Sequence, residues 1–147
     1  MASFATKRVY EEADPTDGIR ILVDRLWPRG VSRKAAALDL WCKEIAPSPE
    51  LRTWFDHREE RFSEFKRRYL LELHSNPAVP ELLSSVGKRK ATLLYAAHAE
   101  AFNHAIVLAD YLRAYRLRQA PSTTKRIARN VTDKAGVPQA SRRLSNR

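Results

Sequence analysis

The fold is decided by the stretch Ile19-Arg20-Ile21-Leu22-Val23-Asp24-Arg25-Leu26-Trp27-Pro28-Arg29-Gly30. Its first part is a largely β-branched, apolar run interrupted by Arg20, which predicts a buried strand. The run stops abruptly at polar residues, as a strand end with a polar site would. Open α/β sheets usually bind ligands at the carboxyl ends of their strands, and arginine presents a planar fork that suits carboxylates and phosphates. We therefore predict an anion-recognising pocket at this edge.

Two further strands are predicted on either side of this stretch. One is a short strand at Phe4–Tyr10, and the other is Ala91–Ala96, which is apolar except for Thr92. The segment 35–42 is open to two interpretations. Alternating apolar residues at 38, 40 and 42 favour a half-buried strand, whereas the alanines at 35–37 suit a helix equally well.

Helices are predicted between and after these strands. Ser48 followed by Pro49 is a helix opening, and that helix should run to about Phe55. Asp56 with Glu59 resembles a second capping signal, and it opens the longest helix, Asp56 to His74. Another helix follows Asn76-Pro77 and stops at Gly87. The last helix is indicated by the helical spacing of Phe102, Ala105, Ile106, Ala109 and Leu112.

Strand, crossover helices, strand and closing helix predict an α/β fold, because crossovers between parallel strands are long and right-handed. We expect a single-domain three-layer sandwich with a largely parallel central sheet. It is Rossmann-like without a dinucleotide fingerprint, since the glycines are isolated and form neither a P-loop nor a dinucleotide turn. No cofactor is predicted. The α/β domain should span 1–119, with a basic, disordered tail at 120–147.

If the strands at 19–23 and 91–96 are parallel neighbours, the loops that follow them meet at one edge. Arg25 and Arg29 would then complement a helix start that favours anions. The predicted ligand-binding residues are Arg25, Arg29, Asn103 and His57, and the weak catalytic candidates are Asp24 as orienter with His98 or His104 as acid or base.

Several of these residues have an alternative structural interpretation. Asp24 and Arg25 equally suit structural ion pairs or caps, and Trp27 with Pro28 suits packing better than ligand stacking. Glu100 and His104 are spaced as a surface pair rather than as metal ligands, so no metal is predicted. Cys42 is interpreted as a core or half-buried residue, since nothing positions a base beside it.

Composition limits the class of protein. A chain of 147 residues with 44% hydrophobic content is a globular protein of ordinary domain size. One cysteine cannot form an internal disulfide, which favours a reducing, cytoplasmic location. Neither a leader nor a membrane-spanning segment is indicated.

The net charge of +10 is concentrated in the tail, where seven basic residues stand against Asp133, giving +6 over 120–147. The tail has no aromatic residues, so it is predicted to be mobile. Such a segment attracts nucleic acid or acidic surfaces non-specifically, but the simpler interpretation is a solubilising extension.

Several blocks stand in a fixed order along the chain. They are the run from Gly18 to Gly30, Leu38-Asp39-Leu40-Trp41, Ala46-Pro47-Ser48, Leu51-Arg52-Thr53-Trp54-Phe55 with His57, and Leu93-Leu94-Tyr95-Ala96 with Asn103-His104. Together they resemble the YeaO-like branch of domain-of-unknown-function family 488, over about residues 4–115. The resemblance implies a compact α/β fold in a small intracellular bacterial protein, and it implies no reaction and no catalytic residues.

The chain departs from this family's patterns at two places. Other branches carry Cys-His-Arg where this chain has Asn103-His104-Ala105, so the resemblance transfers no thiol-dependent activity. The YeaO-like branch more often shows a basic-acidic pair around His98, where this chain has alanines on both sides. That departure weakens His98 as a catalytic candidate.

Three functions remain open on the sequence. The first is a small-molecule protein, enzymatic or not, that binds a phosphate- or carboxylate-bearing ligand through Arg25 and Arg29. The second is a nucleic-acid-associated or regulatory protein that uses the tail, Lys88-Arg89-Lys90 and the helix charges at 66–68. The third is a structural domain that binds a protein partner. The oligomeric state is not indicated.

Overall fold

The structure, a computed structural model, describes residues 3–119, with side chains through Arg116. In chain order the elements are β1 (Phe4–Arg8), β2 (Ile19–Leu22), α1 (Arg33–Ala36), β3 (Leu40–Trp41), α2 (Pro49–Phe55), α3 (Phe62–His74), α4 (Ala78–Val86), β4 (Ala91–Tyr95) and α5 (His104–Gln119). One compact unit ends at Tyr115, and the second, Arg116–Arg147, lies almost entirely outside the described residues. The predicted tail at 120–147 lies outside them as well.

The four strands form one all-parallel sheet in the order β1-β4-β2-β3. Ile21 of β2 pairs with Leu93 of β4 on one side and with Leu40 of β3 on the other. The predicted parallel neighbours are therefore confirmed, and so is the α/β class. The carboxyl ends of the two central strands lie side by side.

The longer helices, α2 to α5, pack against one face of the sheet. Alternate strand residues such as Ile21, Val23 and Leu93 belong to one buried cluster with apolar side chains of α2, α3, α4 and α5. The start of α2 forms as predicted, because Ser48 Oγ accepts the backbone N–H of Leu51 and Pro49 stands at the first helical position. Within residues 3–119, none of the helices combines the length and the hydrophobicity that a membrane crossing requires.

The opposite face is covered mainly by short segments. Leu22 and Leu94 pack there with Ala36 of α1, and Trp27 and Trp41 close the cluster, their rings meeting edge-on at 5.3 Å. The predicted packing role of Trp27 is confirmed. Its indole N–H donates to the carbonyl of Val31 at 2.7 Å, which satisfies its polar edge.

This face also contains a buried cluster of charges. Asp17 contacts the Arg20 guanidinium at 2.5 Å and the Lys7 ammonium at 3.1 Å. Arg20 is only 4% exposed, and it also donates to the carbonyls of Ala36 and Ala37 at the end of α1. Burial alone would raise the pKa of Asp17, but hydrogen bonds from the Asp14 backbone, Lys7 and Arg20 outweigh burial and lower it. Arg20 is thus part of the fold rather than an interruption of the strand.

Three sequence-based boundaries need correction. The strand predicted at Phe4–Tyr10 ends at Arg8. The segment 35–42 is helical at its start and a two-residue strand near its end, so each interpretation holds for part of it. The prediction that Asp56 caps the start of the longest helix is wrong. Asp56 is the left-handed residue that ends α2, and α3 begins only at Phe62, after a 3-10 turn at Glu59–Arg61.

Candidate ligand-binding site

A cavity of about 470 Å³ opens at the carboxyl ends of β2 and β4. Its polar lining comes from Asp24 and Arg25 after β2, Arg52 and His57 around α2, and His98, Asn103 and His104 after β4. The rest of the lining is apolar. Parallel sheets place ligand sites at this edge because successive loops converge there.

Asp24 joins the ends of the two central strands. Its Oδ2 accepts the backbone N–H of Ala96 at 3.0 Å, and its Oδ1 lies 3.1 Å from Nε2 of His104. That Nε2 also lies 3.1 Å from the carbonyl oxygen of Val23. Since both neighbours are acceptors, the hydrogen of a neutral imidazole belongs on Nε2. The geometry of the two contacts directs this hydrogen at the carbonyl oxygen of Val23. Among the described residues, Oδ1 of Asp24 therefore has no hydrogen-bond partner. The contact with Oδ1 is an ion pair when His104 is protonated.

The Arg25 guanidinium is only partly used by the fold. Its Nη2 donates to the carbonyls of Ala46 and Pro47 at 3.2 and 3.3 Å. Its Nε is buried, and within the described part of the chain it has no hydrogen-bond partner. A buried donor without a partner is costly, and because Nε has almost no accessible surface a ligand can reach Arg25 only through its other nitrogens.

The segment that receives Arg25 is itself held firmly. The Tyr69 hydroxyl donates to the carbonyl of Ile45 at 2.6 Å, and Ser48 donates to Glu72 through both its backbone N–H and its hydroxyl. Burial raises the pKa of Tyr69 well above its ordinary value, so this hydroxyl remains a donor. Arg25 is therefore oriented before any ligand arrives.

Arg52 and His57 line the cavity from α2 and the residue pair that follows it. Both side chains are exposed. Asp56 and His57 have left-handed backbone angles, with φ of 51° and 55°. Two consecutive non-glycine residues in this region store strain, a feature that concentrates at functional sites.

The apolar wall of the cavity is aromatic. Phe55 and Phe65 line it, are 5% and 1% exposed, and stack with ring centroids 4.2 Å apart. After β4 the apolar part of the lining comes from the small side chains of Ala96, Ala97 and Ala99. Both phenylalanines belong to the hydrophobic core, and the cavity uses the same rings as its wall.

Asn103 is committed to structure. Its Oδ1 accepts the backbone N–H of Ile106 at 3.0 Å, which caps α5, and its Nδ2 donates to the carbonyl of Ala99 at 2.8 Å. His98 is exposed, with its Nδ1 3.5 Å from Arg8. Arg8 also donates to the carbonyl of Ala97, so a residue at the end of β1 holds this loop.

The structure thus brings together all the predicted site residues except Arg29. Arg29 is exposed and does not line the cavity, and its carbonyl accepts the Tyr10 hydroxyl at 3.0 Å. Its role in binding stays a prediction. Arg52 was missed as a site residue, although its spacing of three from Phe55 places both on one side of α2.

The chemistry available in the cavity is limited. Among its described lining residues there is no side-chain hydroxyl, thiol or amine. Cys42 lies elsewhere and is half-buried, and burial raises the pKa of its thiol, so it is a poor nucleophile. Over residues 3–119, no group of three metal-ligating side chains comes together.

Three of the basic side chains predicted to contact nucleic acid form hydrogen bonds within the fold. Arg67 and Arg68 both donate to Glu64, and these hydrogen bonds lower the pKa of Glu64 to about 2. Arg89 donates to the carbonyls of Ser85 and Val86 at the end of α4. The Glu64 carboxylate offsets one positive charge on α3, whereas the carbonyl contacts leave the charge of Arg89 in place.

Fold and cavity define a small α/β protein with an all-parallel four-stranded sheet and a pocket at the carboxyl ends of its central strands. The chain belongs to the family described as the inactive DUF488-N3 subclade, whose profile matches residues 3–129. An uncharacterised protein of Mycobacterium tuberculosis is 48% identical over 105 residues, covering 71% of this chain and 89% of that protein. The uncharacterised protein YeaO of Escherichia coli is 48% identical over 109 residues, covering 74% and 95%. No solved structure matches significantly.

Proposed function

We propose that the protein binds a small organic anion, a carboxylate or a phosphate ester, in the cavity at the carboxyl ends of β2 and β4. The observation that carries this proposal is the partly used guanidinium of Arg25, which lines a preformed cavity and whose hydrogen bonds to the described residues all come from Nη2. Arg52 adds a second permanent positive charge. Asp24 brings one negative charge to the same lining, so two arginines against one carboxylate leave an excess of one positive charge.

Binding rather than turnover is the activity that the lining supports. Covalent catalysis by a hydroxyl, thiol or amine needs such a group within reach of the ligand, and the described lining offers none. The description of the family as an inactive subclade agrees with this view. His104 and Asp24 then serve to hold the strand ends and the start of α5 in place.

Calorimetric titration of the full chain with small carboxylates and phosphate esters tests the proposal. Arg52→Ala should weaken binding about tenfold or more, because hydrogen bonds to charged groups contribute about 1.5–3 kcal/mol. Arg25→Met should weaken it at least as much, provided its thermal unfolding shows a folded protein. Arg58→Ala is the matched control, since Arg58 is half exposed, pairs with Glu60 and does not line the cavity.

Two results would contradict the proposal. One is the absence of binding across the panel, and the other is binding that survives both Arg25→Met and Arg52→Ala. Strong, steeply salt-dependent binding of nucleic acid with no small-anion binding would favour the nucleic-acid alternative instead. NMR spectra of a bound ligand after long incubation should show it unchanged.

A further inference from the structure

The size of the cavity argues for a ligand larger than a simple ion. A water molecule takes about 30 Å³ of liquid volume, so acetate or inorganic phosphate would fill only a small part of the 470 Å³ available. Cavities of this size ordinarily hold organic ligands of intermediate size. The ligand of the proposed site therefore needs a body as well as an acidic group.

The walls indicate what kind of body that is. Phe55 and Phe65 present stacked, fully packed rings, and the nearby alanines after β4 leave space rather than fill it. Because these rings are 5% and 1% exposed, a ligand ring can touch only a small part of them, and edge-on ring contacts are the ones that add to the gain from burial alone.

The charges limit the acidic part. Arg25 and Arg52 are the permanently charged cations among the described lining residues, and one Arg25 nitrogen already serves the fold. A triphosphate would bring more negative charge than these two groups can balance, and no glycine-rich phosphate loop is present in the sequence. A single carboxylate or phosphate suits the site.

We infer that the cavity binds a single aromatic ring carrying one acidic group, as in an aromatic carboxylic acid or an aryl phosphate. This inference rests on the proposed function and names the ligand class of the same site. The ring lies against Phe55 and Phe65, and the acidic group is held by Arg25 and Arg52. His57, whose backbone is left-handed, lines the same cavity.

The test compares matched probes on the full chain by calorimetry. Benzoate and phenyl phosphate, each against acetate and inorganic phosphate, measure the contribution of the ring. Cyclohexanecarboxylate, a saturated counterpart of benzoate, measures the contribution of aromaticity, and benzyl alcohol measures that of the charge. We expect the better aromatic acid to bind about tenfold or more tightly than acetate. It should also bind about threefold or more tightly than the saturated acid and benzyl alcohol.

Variants give a second readout on the same question. Phe55→Leu should reduce the preference for benzoate over cyclohexanecarboxylate, while Phe102→Leu, half-buried and outside the cavity, should retain it. Equal affinity for aromatic and saturated acids, or for benzoate and acetate, would overturn the inference while leaving anion binding intact. If none of the acids binds, the proposed function itself fails.

Discussion

Replacing Arg20 with methionine should destabilise the protein more than any exposed arginine replacement. Arg20 contributes an ion pair to Asp17 at 2.5 Å, and its side chain is 5% exposed. It also makes hydrogen bonds of 2.8 to 3.1 Å to the carbonyls of Ala36 and Ala37. Methionine keeps much of the length of the side chain and removes all of these interactions. Asp17 would retain Lys7 as its remaining cation.

The expected magnitude follows from burial. Removing one partner of a buried, hydrogen-bonded ion pair costs about 3–5 kcal/mol, and here we expect the lower end of that range, because Lys7 still faces Asp17 while the Ala36 and Ala37 carbonyls lose their donor. Lys7 contacts only the Asp17 carboxylate and is 18% exposed, so Lys7→Met should cost about 1–2 kcal/mol. Against a total stability of about 5–15 kcal/mol, Arg20→Met remains measurable as a folded protein with a much lower midpoint.

Urea unfolding followed by tryptophan fluorescence gives the free energies directly. Arg58→Met is the matched control, because its guanidinium is half exposed and its loss should change the free energy of unfolding by less than about 0.5 kcal/mol. The reasoning is refuted if Arg20→Met costs less than about 1 kcal/mol, or if Lys7→Met costs more than Arg20→Met. Either result would mean that water replaces the Arg20 guanidinium as the partner of Asp17 and of the Ala36 and Ala37 carbonyls.

Three other predictions concern single groups. Tyr69→Phe should lower the free energy of unfolding by about 1–2 kcal/mol, because the buried Ile45 carbonyl loses its donor, and an unchanged urea midpoint would contradict this. Asp56→Gly should raise the midpoint by the equivalent of about 0.5–1 kcal/mol, since glycine takes up the left-handed angle without strain, and a destabilised variant would show that the Asp56 side chain has a contact of its own. The pKa of Glu64 is depressed to about 2, so its stabilising pairs with two arginines persist above about pH 4 and are lost as the pH falls towards 2. NMR of the Glu64 carboxyl carbon as a function of pH should give a titration midpoint of about 2. An ordinary midpoint near 4 would refute the pairing.

The main elements could be predicted from the sequence because they are local. The apolar run before Asp24 makes β2, and Ser48-Pro49 begins α2, since strand and cap preferences act over a few residues. The adjacency of β2 and β4 was assumed rather than derived from the sequence, and the structure shows the two strands paired in parallel. That pairing brings the loops after the two strands together at one cavity.

What could not be predicted depends on distant partners. The orientation of Arg25 is set by carbonyls 21 and 22 residues further along, at Ala46 and Pro47, whereas Arg29 does not line the cavity. Beyond the end of a strand there is no periodicity to separate two arginines four residues apart. Arg20 was similarly hidden, because its burial depends on a carboxylate in the preceding turn and on Lys7 from another strand. The start of α3 was missed because Asp56 fits both a helix beginning and a helix end.

The strand order has a consequence for how the chain folds as it is made. β4 is the last strand to be synthesised, yet it lies between β1 and β2, and Phe4 must wait for Ala91 before it can pair. Until then only β2 and β3 have a partner available among the described strands. At roughly 5–20 residues per second the delay is on the order of 10 s. The hydrophobic faces of the early helices stay without their sheet throughout that interval, so the nascent chain depends on late, long-range closure rather than stepwise growth.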